Sequence, residues 1–142
     1  PAREIMAEDV IEGRLAAAEI ARWLMTAEGL PLAYSSADPA EVARVQDRFG
    51  RDASASALEG FFSEVARLAT AAGATRVITA GGETSGAVVE GLGLDRLEIG
   101  PEIDPGVPAL RARPDLVVAL KSGNFGAEDF FEKADRLLAG AP

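Results

Sequence analysis

Apolar side chains recur every three or four residues from Leu58 through Phe61, Phe62, Val65, Leu68 and Ala69 to Ala72, which predicts a helix with one buried face. Ser56-Ala57-Leu58-Glu59 has the form of a capping box and Gly73 supplies a stop, so this helix is expected over 56–72. Ile11, Leu15, Ala18, Ile20, Trp23 and Leu24 keep a looser helical spacing, predicting a helix from Ile5 to about Ala27 that ends before Gly29 and packs Trp23 on a core. A short helix is expected after Asp38-Pro39-Ala40-Glu41, where Asp38 can cap, Pro39 suits the first helical position, and Val42, Val45 and Phe49 turn inward. The last helix carries Phe130, Phe131, Ala134, Leu137 and Leu138 on one face, and Glu128 and Asp129 at its start offset the helix dipole.

Between the helices the pattern changes to short apolar runs bounded by glycine and proline, as in buried strands. Thr75–Ala80 and Asp115–Leu120 are the clearest, with shorter runs at Pro31–Ser36, Arg96–Ile99 and Ala109–Arg111. Gly100–Pro108 is expected to be a rigid turn, because its prolines and Pro105-Gly106 fix the backbone. Strands separated by helices imply an α/β domain of three layers, a mainly parallel sheet covered by helices on both faces. Ligands of such sheets sit at the carboxyl ends of the strands.

A chain of 142 residues without repeats or low-complexity linkers is expected to form one domain over 1–142. Hydrophobic residues at 48% and charged residues at 26% suit a globular chain. The net charge of −9 argues against nucleic acid or an anionic membrane as partner. With no cysteine and no histidine, thiolate chemistry, cysteine-ligated metal and histidine acid–base catalysis fall away. No apolar run is long enough to span a bilayer and no signal-peptide pattern opens the sequence, so a cytoplasmic location is expected. Pro1 in place of a methionine, with a helical pattern following at once, suggests a piece of a longer protein.

Two glycine loops carry the candidate chemistry. Gly81-Gly82-Glu83-Thr84-Ser85-Gly86 lies between a predicted strand and the helix expected at Ala87–Leu92, and Lys121-Ser122-Gly123-Asn124-Phe125-Gly126 lies between a strand and the last helix. A strand ending in glycines that opens a helix directs free N–H groups and the positive helix end at one point, which suits phosphate. Neither loop matches the Walker or the dinucleotide fingerprint, and a plain strand-to-helix turn needing glycine is the competing reading. Thr84 and Ser85 either cap the helix or bind phosphate oxygens, and Gly86 allows close approach. Glu83 either sits beside magnesium or points into water. Lys121 either meets phosphate or braces its loop, while Ser35 and Ser36 are weaker candidates at a strand end. Glu102 and Asp104 are candidate catalytic carboxylates, with exposed turn residues the expected reading because no partner that would raise either pKa is visible in the sequence.

In order, AGGETSGAV at 80–88, IGPEIDPGVP at 99–108, LKSGNFG at 120–126 and Asp129-Phe130-Phe131 resemble the C-terminal nucleotide-binding domain of the four-carbon acid sugar kinases. The resemblance runs from about Trp23 to Leu138. It implies Mg2+-dependent transfer of a phosphoryl group from ATP to threonate, erythronate or 3-oxo-tetronate. It further implies Gly81, Gly82, Glu83, Thr84, Ser85 and Gly86 as the phosphate-side loop, Ser122, Gly123 and Asn124 as the second wall, and Gly100–Pro108 as a loop bordering the site. The family's N-terminal acid-sugar domain and its upstream serine-containing nucleotide segment have no counterpart here. The expectation is therefore the ATP/ADP-binding C-terminal fragment of a two-domain kinase, inactive alone, whose sugar acid binds through the absent domain. An apolar docking patch on such a fragment could drive homo-oligomerisation. A non-catalytic module binding a nucleotide or phosphorylated metabolite is the alternative.

Overall fold

The computed structural model describes residues 1–35, 38–123 and 125–140. Its central feature is β6 (Leu116–Lys121), in which Val117 and Ala119 face one layer while Leu116 and Val118 face the other. Both faces are therefore covered, which explains why the run is uninterruptedly apolar rather than alternating. On one side lies α6 (Phe130–Ala139), with Phe130, Ala134 and Leu138 buried on Val107, Ala109, Val117 and Ala119. On the other lie α4 (Arg51–Ala71) and α5 (Gly82–Gly91), where Ala66 and Val88 close over Leu116 and Val118.

The four-stranded sheet has the order β3-β6-β5-β4, formed by β3 (Arg76–Ala80), β6, β5 (Val107–Arg113) and β4 (Glu98–Asp104). The α/β class and the helices on both faces are as expected, while the pairing is mixed. β3 runs parallel to β6, but β4–β5 and β5–β6 are antiparallel. The reason is local: links of two residues each, Pro105-Gly106 and Pro114-Asp115, are too short for a crossover and force hairpins. Gly100–Pro108 is thus mostly strand, with its turn confined to Pro105-Gly106, where Gly106 has φ +83°. Pro101 and Pro108 had suggested a turn, yet proline is tolerated near strand edges and register shifts, and the β4–β5 ladder shifts on both sides of Glu102.

The N-terminal region also departs from expectation. In place of one helix over 5–27 there are β1 (Ala2–Glu4), α1 (Ala7–Ile11) and α2 (Ala17–Thr26). Gly13, at φ +73°, separates the helices, and β1 pairs in parallel with β2 (Leu32–Tyr34) to make a separate two-stranded sheet. Helix α3 (Pro39–Phe49) starts as read, with the Asp38 carboxylate accepting the Glu41 N–H at 3.0 Å. The N-cap of helix α4 lies six residues before its capping-box signal: Gly50, at φ +88°, turns the chain between α3 and α4, so Ser56 lies inside the helix. Phe61, Val65 and Ala69 of α4 pack with Ile5 and with Ile20 and Ala21 of α2, and this cluster ties the small sheet to the rest.

Candidate functional site

Helices α4 and α5 both run antiparallel to the strand between them, and Gly91 at the end of α5 packs on Ser63 in the middle of α4. Their N-termini consequently emerge together at the carboxyl end of β3. Gly81 caps α5 with φ +100°, its N–H donating to the Lys121 carbonyl at 2.8 Å and its carbonyl accepting the Ser85 N–H at 2.9 Å. The first loop is thereby pinned to the end of β6. The N–H groups of Gly82, Glu83 and Thr84 occupy the first turn, where no intrahelical acceptor exists, so they remain donors for an anion.

Ser85 has a different job. Its buried hydroxyl is 2.7 Å from the Thr79 hydroxyl and lies 3.5 Å from the Lys121 carbonyl, an arrangement that braces the strand-to-helix turn from beneath. Gly86 is exposed on α5, and a Cβ added there would meet nothing within 4 Å. The second loop touches the first where a Cβ on Gly82 would lie 3.8 Å from the Ser122 hydroxyl. Within that loop Gly123 has φ +46°, and the Lys121 ammonium donates to the Gly123 carbonyl at 2.8 Å, which is the loop-bracing role. Asn124 and Ser36 lie outside the described residues.

Glu83 and Thr84 form one wall of a cavity of about 570 Å³. Ser35 at the end of β2 and Arg51 at the start of α4 also line it, above apolar side chains that include Ile5, Val45 and Leu58. Arg51 is the one cation among its described lining residues. Sequence reading missed both Arg51 and the α3 wall, since nothing in the local pattern places α3 opposite α5. The Ser122–Gly123 loop contacts the first loop but does not line this cavity.

Asp104 corrects the expectation of an exposed turn residue. It is buried, accepts the Ala127 N–H at 3.0 Å and pairs with Lys133, which also lies 3.2 Å from Asp129. This holds the entry to α6, and with it the second glycine loop, against the end of β4. The Lys133 ammonium and the Ala127 N–H keep the Asp104 carboxyl below the usual aspartate range, and Asp104 in turn raises Lys133. Glu102 is exposed as expected, accepting the Gly106 N–H at 3.1 Å.

Comparisons with known proteins bear on the family and the fold. The chain is 44% identical over 144 residues to a 3-oxo-tetronate kinase of Pseudomonas savastanoi pv. phaseolicola, covering 99% of this chain and 33% of that protein. It is likewise 44% identical over 142 residues to a 3-oxo-tetronate kinase of Methylobacterium radiotolerans, covering 98% of this chain and 32% of the other. The chain thus spans about a third of the length of the curated relatives it matches. Among solved structures, a Haemophilus influenzae protein superimposes with a TM-score of 0.89 at 38% identity, over 97% of this chain and 34% of that one. A Bordetella bronchiseptica domain of unknown function, a domain-swapped dimer with bound citrate, has a TM-score of 0.67 at 25% identity, over 97% of this chain and 33% of its own. Residues 1–131 match the family described as the nucleotide-binding C-terminal domain. The chain belongs to that family, and its relatives group it with the four-carbon acid sugar kinases.

Proposed function

We propose that this chain is the ATP-binding part of a kinase that phosphorylates a four-carbon acid sugar of the threonate, erythronate or 3-oxo-tetronate type. The carrying observation is the meeting of the two glycine loops at neighbouring strand ends, with the open donors of Gly82, Glu83 and Thr84 in the first turn of α5 and Glu83 and Thr84 on the cavity wall. Gly81 and Ser85 hold that turn in shape, Gly86 leaves room beside it, and Ser122 and Gly123 approach the nucleotide from beside the first loop, outside the 570 Å³ cavity. The curated relatives' names supply the reaction and substrate class.

In-line phosphoryl transfer demands positioning and donors for developing charge rather than covalent chemistry. Donors already fixed by the Gly81–Lys121 and Thr79–Ser85 contacts need little reorganisation as charge moves. Magnesium fits the donor set as an ion brought in with the phosphates: such an ion needs only one or two protein carboxylates, and Glu83 is one at the wall. When bound, magnesium neutralises phosphate charge. The described residues offer no preformed cluster of three or more ligands. The base that accepts the sugar hydroxyl proton belongs to the acid-sugar domain in this reading. No described helix is long and apolar enough to cross a membrane.

The test is a backbone amide NMR titration with Mg-ADP. Saturable shifts concentrated at Gly81, Gly82, Glu83, Thr84 and Gly123 are expected. A titration to millimolar nucleotide that leaves these amides unmoved, in both this chain and the longest polypeptide containing it, overturns the reading.

A further inference from the structure

The two sheets present facing open edges. Backbone hydrogen bonding in β2 is spent on β1: the Leu32 N–H donates to the Pro1 carbonyl at 2.9 Å, and the Tyr34 carbonyl accepts the Ile5 N–H at 2.7 Å. By the alternation of a ladder, the peptide groups of Ala33 point to the opposite edge. In β3 the Thr75 carbonyl accepts from Val117 at 3.0 Å and the Gly81 N–H donates to Lys121 at 2.8 Å, so odd-numbered residues face β6. The peptide groups of Arg76, Ile78 and Ala80 are left on the open edge. No ladder joins β2 to β3 among the described residues.

The edges belong together. Helices α2 and α4 pack in one cluster with Ala33, so they lie on the same face of the small sheet. Right-handed crossovers on one face step in one direction, which sets β2, not β1, toward β3. Composition agrees, since β1 is Ala-Arg-Glu, suited to an outer edge, whereas β2 is Leu-Ala-Tyr. Gaps open at both ends of the space between them. At the carboxyl end the 570 Å³ cavity reaches from Ser35 to Glu83 and Thr84. At the amino end a cavity of about 410 Å³ is lined by Leu30, just before β2, and by Glu132, Asp135 and Arg136 of α6. Asp135 pairs with Arg76 at the start of β3 at 3.2 Å. Val77 and Ile78 are only half-buried, although a parallel strand of this composition belongs inside a sheet.

We infer that a further β-strand, apolar and parallel to β2 and β3, inserts between them and joins the two sheets into one. Its occupant is polypeptide of the same protein outside residues 1–142, since the curated relatives are about three times as long. An isolated pair of three-residue strands is marginal in water, and the added strand gives β2 a second hydrogen-bonded neighbour. Its carboxyl end would emerge between Ser35 and Thr84, so the segment after it would complete the wall of the 570 Å³ cavity. The inference uses sheet geometry and the relatives' length and stands or falls independently of nucleotide binding.

The test is residue-resolved amide hydrogen exchange, without nucleotide, in the 142-residue chain and in the polypeptide translated from the whole reading frame. In the longer protein the Ala33, Arg76, Ile78 and Ala80 amides are expected to slow by about 100-fold more than the Val77 and Thr79 amides. Equal exchange at the two sets overturns the inference, as does a reading frame confined to these 142 residues. Protection of the same amides that instead rises with concentration of the short chain assigns the slot to a second copy and also overturns it.

Discussion

At the scale of single residues, those that brace the glycine segments differ from those that the proposed function puts beside the nucleotide. Asp104 belongs to the first kind. Its folded pKa lies below its unfolded one, so its contribution is complete above the unfolded value, about 3.9, and fades as pH falls through the lower folded value. Lys133 is raised, so its share persists from low pH and is lost only as pH climbs past the ordinary lysine value of about 10.4 toward its higher folded one. In Asp104→Ala the midpoint of thermal unfolding should fall by a near-constant amount from about pH 5 to 9, with the difference shrinking below about pH 4. The Ala127 amide should exchange at least about tenfold faster. Circular dichroism melts across pH and amide exchange measure the two effects, and a difference that grows on acidification would contradict the pairing. Gly86 tests the second kind. Because it has open space around it and an ordinary helical backbone, Gly86→Val should keep its stability within about 0.5 kcal/mol. Its Mg-ADP affinity should nevertheless fall by about tenfold or more, roughly 1.4 kcal/mol, if phosphate approaches there. Denaturant melts and calorimetric titration read the two quantities separately, and unchanged affinity in the folded variant removes Gly86 from the site.

At the scale of elements, legibility followed how local the deciding interactions are. Helices α3 and α6 and strands β3 and β6 could be read because their own residues carry cap, periodicity and apolar run. The positions of the two glycine segments were equally legible, since strand, glycines and helix are contiguous, but α5 begins at Gly82 rather than Ala87, so Gly82–Gly86 are its first residues instead of a loop. The start of α4 was misread because Ser56-x-x-Glu59 is a good local signal overruled by Gly50, whose positive φ already turns the chain and whose carbonyl accepts the Ser54 hydroxyl at 2.8 Å. β1 was invisible because Ala2-Arg3-Glu4 has no strand pattern of its own and is extended only through pairing with β2. The β4–β5 hairpin was hidden by its prolines, and the Asp104–Lys133 pair by a separation of 29 residues. That hairpin matters to the site: a Cβ on Gly106 would come within 2.9 Å of the Phe125 ring, so the turn presses directly on the second glycine loop. Gly106→Val combines this clash with a φ of +83°, and the expected loss is about 1–3 kcal/mol of stability. NMR should show the largest amide shifts at Ser122, Gly123 and Phe125 rather than in α5. Shifts confined to the hairpin would mean that it does not support the loop.

At the scale of the whole molecule, charge decides between two ways of holding a phosphate. The chain carries −9, and Mg-ADP is itself anionic, so their long-range interaction is repulsive. That repulsion reaches about 30 Å at 0.01 M salt and about 8 Å at 0.15 M. Backbone donors such as those of Gly82 and Thr84 act at hydrogen-bond distance, about 2.9 Å, and salt screens them little. If these donors dominate, affinity for Mg-ADP at 0.15 M should equal or exceed that at 0.01 M, staying within about a few-fold. If exposed cations dominate, with Arg51 the one among the described cavity-lining residues, added salt should weaken binding instead. Calorimetric titrations at the two salt concentrations distinguish these cases, with magnesium kept saturating so that nucleotide speciation does not change. A tenfold loss of affinity at the higher salt would move the phosphate from the mouth of α5 to Arg51 at the start of α4, and Arg51→Gln would then be the variant that abolishes the salt dependence.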